Sequence, residues 1–354
     1  MSTTIEIPPG ESIDRYLRDF RDPGTTFVLG AGEYTTSGCF DFPEHDLCML
    51  APECQIVGVG SGKTFLTGYD VVTEHAGKPT GYAEILTGGA RTRNYSESIY
   101  VRGLSVFADS GMPCVGLHLW SSRAYVDDVR VEGLHGYRDH AGPVKEAFGI
   151  LINNSAGKPS ADGGHLVRNC AVYLDPADSE NYTTAIFIGC VKRTGSPLLR
   201  SAGVGCLAVA DGDGHAAFAM NDRTTFIDCE SVGFRRAVFV DTGPIRDSHI
   251  LRMDATECGW ALDLRGSGER RGITLRDSSF AFRDIDGWAQ GLLVSDDDSG
   301  APACGIHVEG CRFLAPGTGR ASVARLRGKN VEDFTEFRNL WAGKWEPSTI
   351  QNRV

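Results

Sequence analysis

Val101-Arg-Gly-Leu-Ser-Val106, Val126-Asp-Asp-Val-Arg-Val131, Val167-Arg-Asn-Cys-Ala-Val172, Leu275-Arg-Asp-Ser-Ser-Phe280 and Val308-Glu-Gly-Cys-Arg-Phe313 are one phrase written five times. Each is an apolar strand, a Gly, Asn or Asp, and a second apolar strand. After a loop, a small residue opens a third strand with alternating apolar positions. Examples are Gly116-Leu-His-Leu-Trp120, Gly149-Ile-Leu-Ile-Asn153, Ala185-Ile-Phe-Ile-Gly189, Ala237-Val-Phe-Val-Asp241, Ala261-Leu-Asp-Leu-Arg265 and Gly291-Leu-Leu-Val-Ser295. Apolar residues at every second position are the period of a strand buried on one face. Gly, Asn and Asp are the residues that best tolerate a positive φ. Gly103, Asp128, Asn169, Asp277, Gly310 and Asn339 are therefore expected in the tight turns. A unit of this kind, recurring roughly every 20–36 residues, is the mark of a solenoid.

The chain has 354 residues and is expected to form one continuous body over 1–354, because a solenoid has no natural break. Within it, 1–30 read as an N-terminal cap and first strand. Residues 31–96 read as first coils with an irregular insertion at 67–97, 97–345 as regular coils, and 346–354 as a tail. The stripe Ile13, Tyr16, Leu17, Phe20 after Pro8-Pro9-Gly10 predicts an amphipathic helix over 11–21 that covers the open end of the first coil. Trp341 and Trp345 are placed to close the other end.

The net charge of −11 argues against nucleic acid as a partner. Of the eleven cysteines, Cys170, Cys206, Cys229, Cys258 and Cys311 sit at strand positions and read as small interior residues. No Cys-x-x-Cys occurs, and no apolar run reaches membrane-spanning length. The N-terminus has no basic segment followed by an apolar one, so a cytoplasmic location is expected, or a virion for a phage protein.

The Asn or Asp turns, the leading helix, Phe27-Val-Leu-Gly-Ala-Gly-Glu-Tyr-Thr35 and Ile56-Val-Gly-Val-Gly-Ser-Gly-Lys-Thr64 resemble the pectate-lyase-like superfamily. The resemblance implies an all-β fold: a single-stranded right-handed parallel β-helix with a short N-terminal capping α-helix. It also implies that the strand after the loop belongs to the sheet carrying the substrate groove. No specific enzyme signature of the superfamily matches. Gly214-His-Ala216 and Arg327-Gly-Lys329 are fragments of polygalacturonase blocks, and the pectate lyase and mannuronan epimerase blocks do not occur.

Sorting the post-loop strands into columns leaves two outward series. One reads His118, Leu151, Phe187, Ala219, Phe239, Asp263, Leu293, Arg325. The other reads Trp120, Asn153, Gly189, Asn221, Asp241, Arg265, Ser295, Arg327. Asp241 and Asp263, about one 4.8 Å rung apart, are the candidate carboxylate pair for glycoside chemistry. Arg265, Asn221 and Asn153 are candidates for positioning substrate. The loop 133–147 adds Arg138 as a binding residue and His140 as a base suited to neutral pH. Trp120, Phe187 and Phe239 read as exposed aromatics that can stack on sugar rings or equally pack under loops or against another subunit, with His118 beside them. An outward column is also where a solenoid carries ordinary polar surface, and a solvated loop explains 133–147 equally well.

Gly58-Val-Gly-Ser-Gly-Lys-Thr64 looks like a phosphate loop, but its first Gly is one residue too close and no helix signal follows. Asp211-Gly-Asp-Gly214 and Asp296-Asp-Asp298 offer oxygen ligands for Ca²⁺, but turn chemistry accounts for both, so no cofactor is expected. The leading expectation is a carbohydrate-active enzyme, a glycoside hydrolase, transferase or lyase. The alternatives are a phage tailspike-like glycan-binding or depolymerising protein, trimeric if so, and an intracellular lyase, isomerase or cyclase on a non-sugar metabolite. A non-catalytic scaffold completes the set. The expected partner is a saccharide or other small molecule, with homo-oligomerisation open and no membrane.

Overall fold

The computed structural model describes residues 2–40, 49–68, 74–75, 78–79, 83–89, 98–108, 114–134, 147–154, 164–174, 183–190, 200–240, 245–264, 269–285, 288–295, 303–317, 320–327, 331–346 and 349–351. The fold is the single-stranded right-handed parallel β-helix that the repeat implied. Each coil contributes a strand to a second sheet, turns, contributes one to a third sheet, and then enters the first sheet. The first sheet stacks Ala83–Gly89, Cys114–Ser121, Ala147–Asn154, Thr183–Cys190, the ends of Leu207–Met220 and Glu230–Val240, Trp260–Leu264, Trp288–Ser295 and Arg320–Arg327 in parallel.

The turn residues behave as their chemistry demands. Gly103, Asp128, Asn169, Asp277 and Gly310 have φ of 67°, 51°, 52°, 51° and 64°. Asp228 and Arg252 occupy the same position at 53° and 51°, and were not foreseen. Arg252 holds it with a bidentate bond to Asp228 on the neighbouring coil, at 2.6 and 2.9 Å. The last turn is displaced by one residue from expectation: Arg338 has φ 55°, not Asn339. Asn339 instead stands in the inner column that follows the turn. There its side-chain oxygen accepts from Cys311 N (2.9 Å), and its amide donates to Val308 O (3.0 Å).

That inner column is mostly sulfur. Cys170, Cys206, Cys229 and Cys311 are buried there, as interior residues should be. A hydrogen bond to Cys170, together with burial, pushes the Cys206 thiol up to about 12. Such a thiol stays protonated and inert.

The helix is shorter than its stripe, spanning Asp14–Asp19. Ile13 and Leu17 are buried against the first coil, whereas Phe20 lies beyond the helix end and is 42% exposed. The helix start is pinned from outside, because the Asp14 carboxylate accepts from Thr36 Oγ1, Ser37 N and Ser37 Oγ at 2.6–2.9 Å. The first strand also comes earlier than read: Thr4–Ile7 pairs in parallel with Thr26–Leu29. At the other end Phe280, Phe313 and Trp341 stack in line, with ring centroids 5.4 and 3.9 Å apart, and Trp345 packs edge-on. These rings close the last coils as expected of the two tryptophans.

The region read as an irregular insertion holds the first rung of the first sheet. Ala83–Gly89 pairs with Cys114–Ser121. Its periodicity is hidden because Gly88 takes an inward place, where a Cβ would stand 2.9 Å from Leu119.

Candidate functional site

The outer face of the first sheet has three columns, one more than the sequence reading used. The extra column lies three residues before the His118 series: Glu84, Val115, Phe148, Thr184, Ala216, Arg236, Trp260. Between the two lies the small residue that opens each strand. At Gly116 and Gly149 a Cβ would meet Val131 and Val172 at 2.4 and 2.2 Å, so this place turns inward and must stay small.

The added column supplies partners for His118 and Asp263, the two predicted ionisable site residues that are described. Glu84 Oε1 lies 2.5 Å from His118 Nδ1, and Thr87 donates to Glu84 Oε2 at 2.6 Å. His118 Nε2 lies 2.5 Å from Asn153 Nδ2. Both ring nitrogens of His118 are thus in hydrogen-bond contact, one with the carboxylate and one with the amide. Trp120 packs beside the ring at 5.1 Å. Asn153 Oδ1, at the end of this chain of bonds, is buried and has no partner among the described residues.

At the other end of the face, Arg236 Nε donates to Asp263 Oδ2 at 2.5 Å, and Arg236 Nη1 to His215 Nδ1 at 3.1 Å. The guanidinium lies 4.6 Å from the Trp260 ring and 5.3 Å from Phe239, and Phe239 meets His215 edge-on. A planar cation stacked on two rings and bonded to a carboxylate is held in one orientation.

The face is closed. His118 is 3% exposed, Arg236 8% and Asp263 0%, and Asn153, Asn221 and Trp120 are buried too. Trp120 and Phe187, expected to be exposed, are buried. Between the two polar ends Val115, Phe148, Leu151, Phe187 and Ala219 form a satellite core, with Phe239 packed against it. Apolar residues that a bare solenoid would expose are thus withdrawn from water.

Of the other predicted site residues, Asn221 donates to Gly189 O at 2.9 Å, and its Oδ1 is buried without a partner among the described residues. Asp241, Arg265, Arg138 and His140 lie outside the described residues, as does 296–298. The Asp211-Gly-Asp-Gly214 stretch lies within the strand Leu207–Met220, where the register against Glu230–Val240 shifts between Val209 and Gly214. The phosphate-loop look-alike runs into the strand Thr64–Gly68. Asp128 occupies its amide side, accepting from Ser61 N and Oγ at 3.2 and 2.6 Å. Among the described residues no three His, Cys, Asp or Glu side chains converge as ligands for a metal.

No family model matches the chain, and no curated protein matches it. Among solved structures it is similar to the catalytic domain of a GH87 α-1,3-glucanase in complex with nigerose, with TM-score 0.47, 12% identity, and 100% of this chain and 69% of that one covered. It is also similar to the tailspike of an Acinetobacter phage, with TM-score 0.44, 12% identity, and 97% and 59% covered. A third likeness is to the A-module of a mannuronan C-5 epimerase from Azotobacter vinelandii, with TM-score 0.36, 12% identity, and 96% and 94% covered. None of these likenesses assigns a role to a residue here.

Proposed function

We propose that this chain is a carbohydrate-active enzyme whose site is organised by the first sheet. The observation that carries this reading is the buried Glu84–His118–Asn153 chain of polar side chains on the first sheet. Burying a carboxylate, an imidazole and a primary amide costs free energy, and the fold does not require them on this face.

The carboxylate pair Asp241 and Asp263 is the proposed acid and its partner, with Arg236 fixing Asp263. Arg265, Asn221, Arg138 and His140 complete the proposed site. Five rungs separate His118 from Asp263, about 24 Å. That span is too long for two groups acting on one bond, whose carboxyls lie within about 10 Å of each other. His118 and Asp263 therefore do not act on one bond, and the reaction is assigned to the Asp263 end.

A second reading, a glycan-binding protein without turnover, is favoured by one observation: both nitrogens of His118 are already engaged.

The test is a panel of neutral and uronate oligosaccharides, followed by reducing ends and by ultraviolet absorbance of unsaturated products. Asp263→Asn should lower turnover by about 10²-fold or more, whereas Asn153→Leu should raise KM and leave kcat nearly unchanged. Unchanged turnover in Asp263→Asn sinks the catalytic assignment. Binding without turnover by the wild type selects the second reading.

A further inference from the structure

The corner between the first and second sheets carries an inward polar seam. His165, Ser201 and Thr224 stand directly beside one another on successive strands of the second sheet, and the backbone N–H of Thr224 donates to Ser248 Oγ at 3.2 Å. The ends of the seam are satisfied. His165 Nδ1 accepts from Ala124 N at 3.1 Å, and its Nε2–H donates to Asn154 Oδ1 at 2.7 Å. The middle is not. Ser201 Oγ and Thr224 Oγ1 are buried and have no partner among the described residues.

Opposite these two hydroxyls the first sheet presents a glycine. The pairing of Ala147–Asn154 with Thr183–Cys190 shifts after Ile152, so that Asn153 faces Cys190 and Gly189 bulges. Gly189 has φ 77°, and a Cβ built on it would have as its nearest neighbours Ser201 Oγ at 3.6 Å, Thr224 Oγ1 at 3.8 Å and Asn154 Oδ1 at 3.9 Å. Three oxygens from three coils stand around the space beside the glycine.

We propose that the space beside Gly189 is a binding site for one buried water molecule, which bonds Ser201 Oγ and Thr224 Oγ1 together across the corner. Water suits the site because two to four polar partners are what an enclosed water requires, and each hydroxyl can donate or accept. A cation is disfavoured: neither ligand is charged, and the nearby Asp222 already faces Arg246 at 3.2 Å through both oxygens. Gly189 then serves two ends, the left-handed turn and the space for solvent. This site does not depend on the saccharide reading.

The test is a crystal structure of the full chain at a resolution that shows ordered water. A peak at about 2.6–3.2 Å from both Ser201 Oγ and Thr224 Oγ1 is expected. An empty volume, a direct bond between the two hydroxyls, or a peak at the shorter distances of a metal ion overturns the proposal. The double variant Ser201→Ala/Thr224→Val gives an independent sign. If the hydroxyls are truly unmet, removing them relieves a desolvation cost and raises the melting temperature. If they hold a water, the variant strands it, and the melting temperature falls by roughly 2–5 °C. A rise overturns the proposal.

Discussion

Gly103 and Gly205 occupy equivalent turns with nearly equal φ, 67° and 60°, yet replacing each with alanine should have very different consequences. The left-handed conformation costs an L-residue about 1–2 kcal/mol at either place. At Gly205 the only atom near an added Cβ is Asn169 Oδ1 at 3.3 Å, the end of a short side chain that can move. At Gly103 the Cβ would stand 2.6 Å from the carbonyl oxygen of Gly58 and 3.1 Å from Gly60 N. These are backbone atoms. They are fixed by bonds between the same segments, Gly58 N to Arg102 O and Gly60 N to Gly103 O, both 2.9 Å.

Relief at Gly103 must therefore break two hydrogen bonds of about 1 kcal/mol each, besides the conformational cost. Gly205→Ala should cost about 1.5 kcal/mol and Gly103→Ala about 4 kcal/mol, summed from these terms. Urea unfolding followed by circular dichroism measures both, with an unchanged slope as the check that one transition is being compared. Asparagine separates the two causes, because it eases the φ penalty but not the contact. Gly205→Asn should be near neutral, and Gly103→Asn nearly as damaging as alanine. Equal losses at the two glycines, within about 0.5 kcal/mol, would refute the close-approach argument.

Further expectations concern charge and packing. Burial pushes His165 down to about 3, and its Nδ1 faces an N–H, so the folded protein holds it neutral while the unfolded chain takes up a proton first. Stability from this group is complete above its unfolded pKa of about 6.5 and falls by about 1.4 kcal/mol per pH unit as the pH drops toward 3. Between pH 6.5 and 5 the paired Asp127, held low by Arg168, stays ionised in both states, so His165→Leu should flatten the stability profile in that window. A variant with the wild-type slope would remove His165 as the cause. Asp263→Asn takes from the buried Arg236 its carboxylate and should destabilise by about 3–5 kcal/mol, whereas Arg236→Met/Asp263→Leu together should cost much less. A double variant as unstable as the single one, by calorimetry, would contradict this. Phe313→Ala, which empties the middle of the terminal ring stack, should cost about 3–4 kcal/mol. Leu340→Ala, at a site 57% exposed, should change thermal unfolding by less than about 0.5 kcal/mol.

The two kinds of error in the sequence reading have distinct physical origins. Asp128, Asn169 and Asp277 were legible as turns because their short side chains tolerate positive φ by themselves. Arg252 was not, because its place is secured by Asp228 on another coil. Glu84 and Arg236 were missed because the columns were started after the small residue at each strand opening, and because Gly88 blurred the first rung. A search for charged residues three positions before His118 and Asp263 would have found neither Glu84 nor Arg236. They lie 34 and 27 residues away in the chain, on neighbouring rungs.

Alternation, turn chemistry and repeat length are local properties, and the sequence alone determined from them the coil, its inward residues and the outward placement of His118, Asn153 and Asp263. Only the tertiary structure decided which residues meet across rungs, because coils of unequal length set the register. It also decided that the outward columns are buried rather than open. Whether a strand's second face meets water depends on what packs over it, and periodicity records only that a face exists.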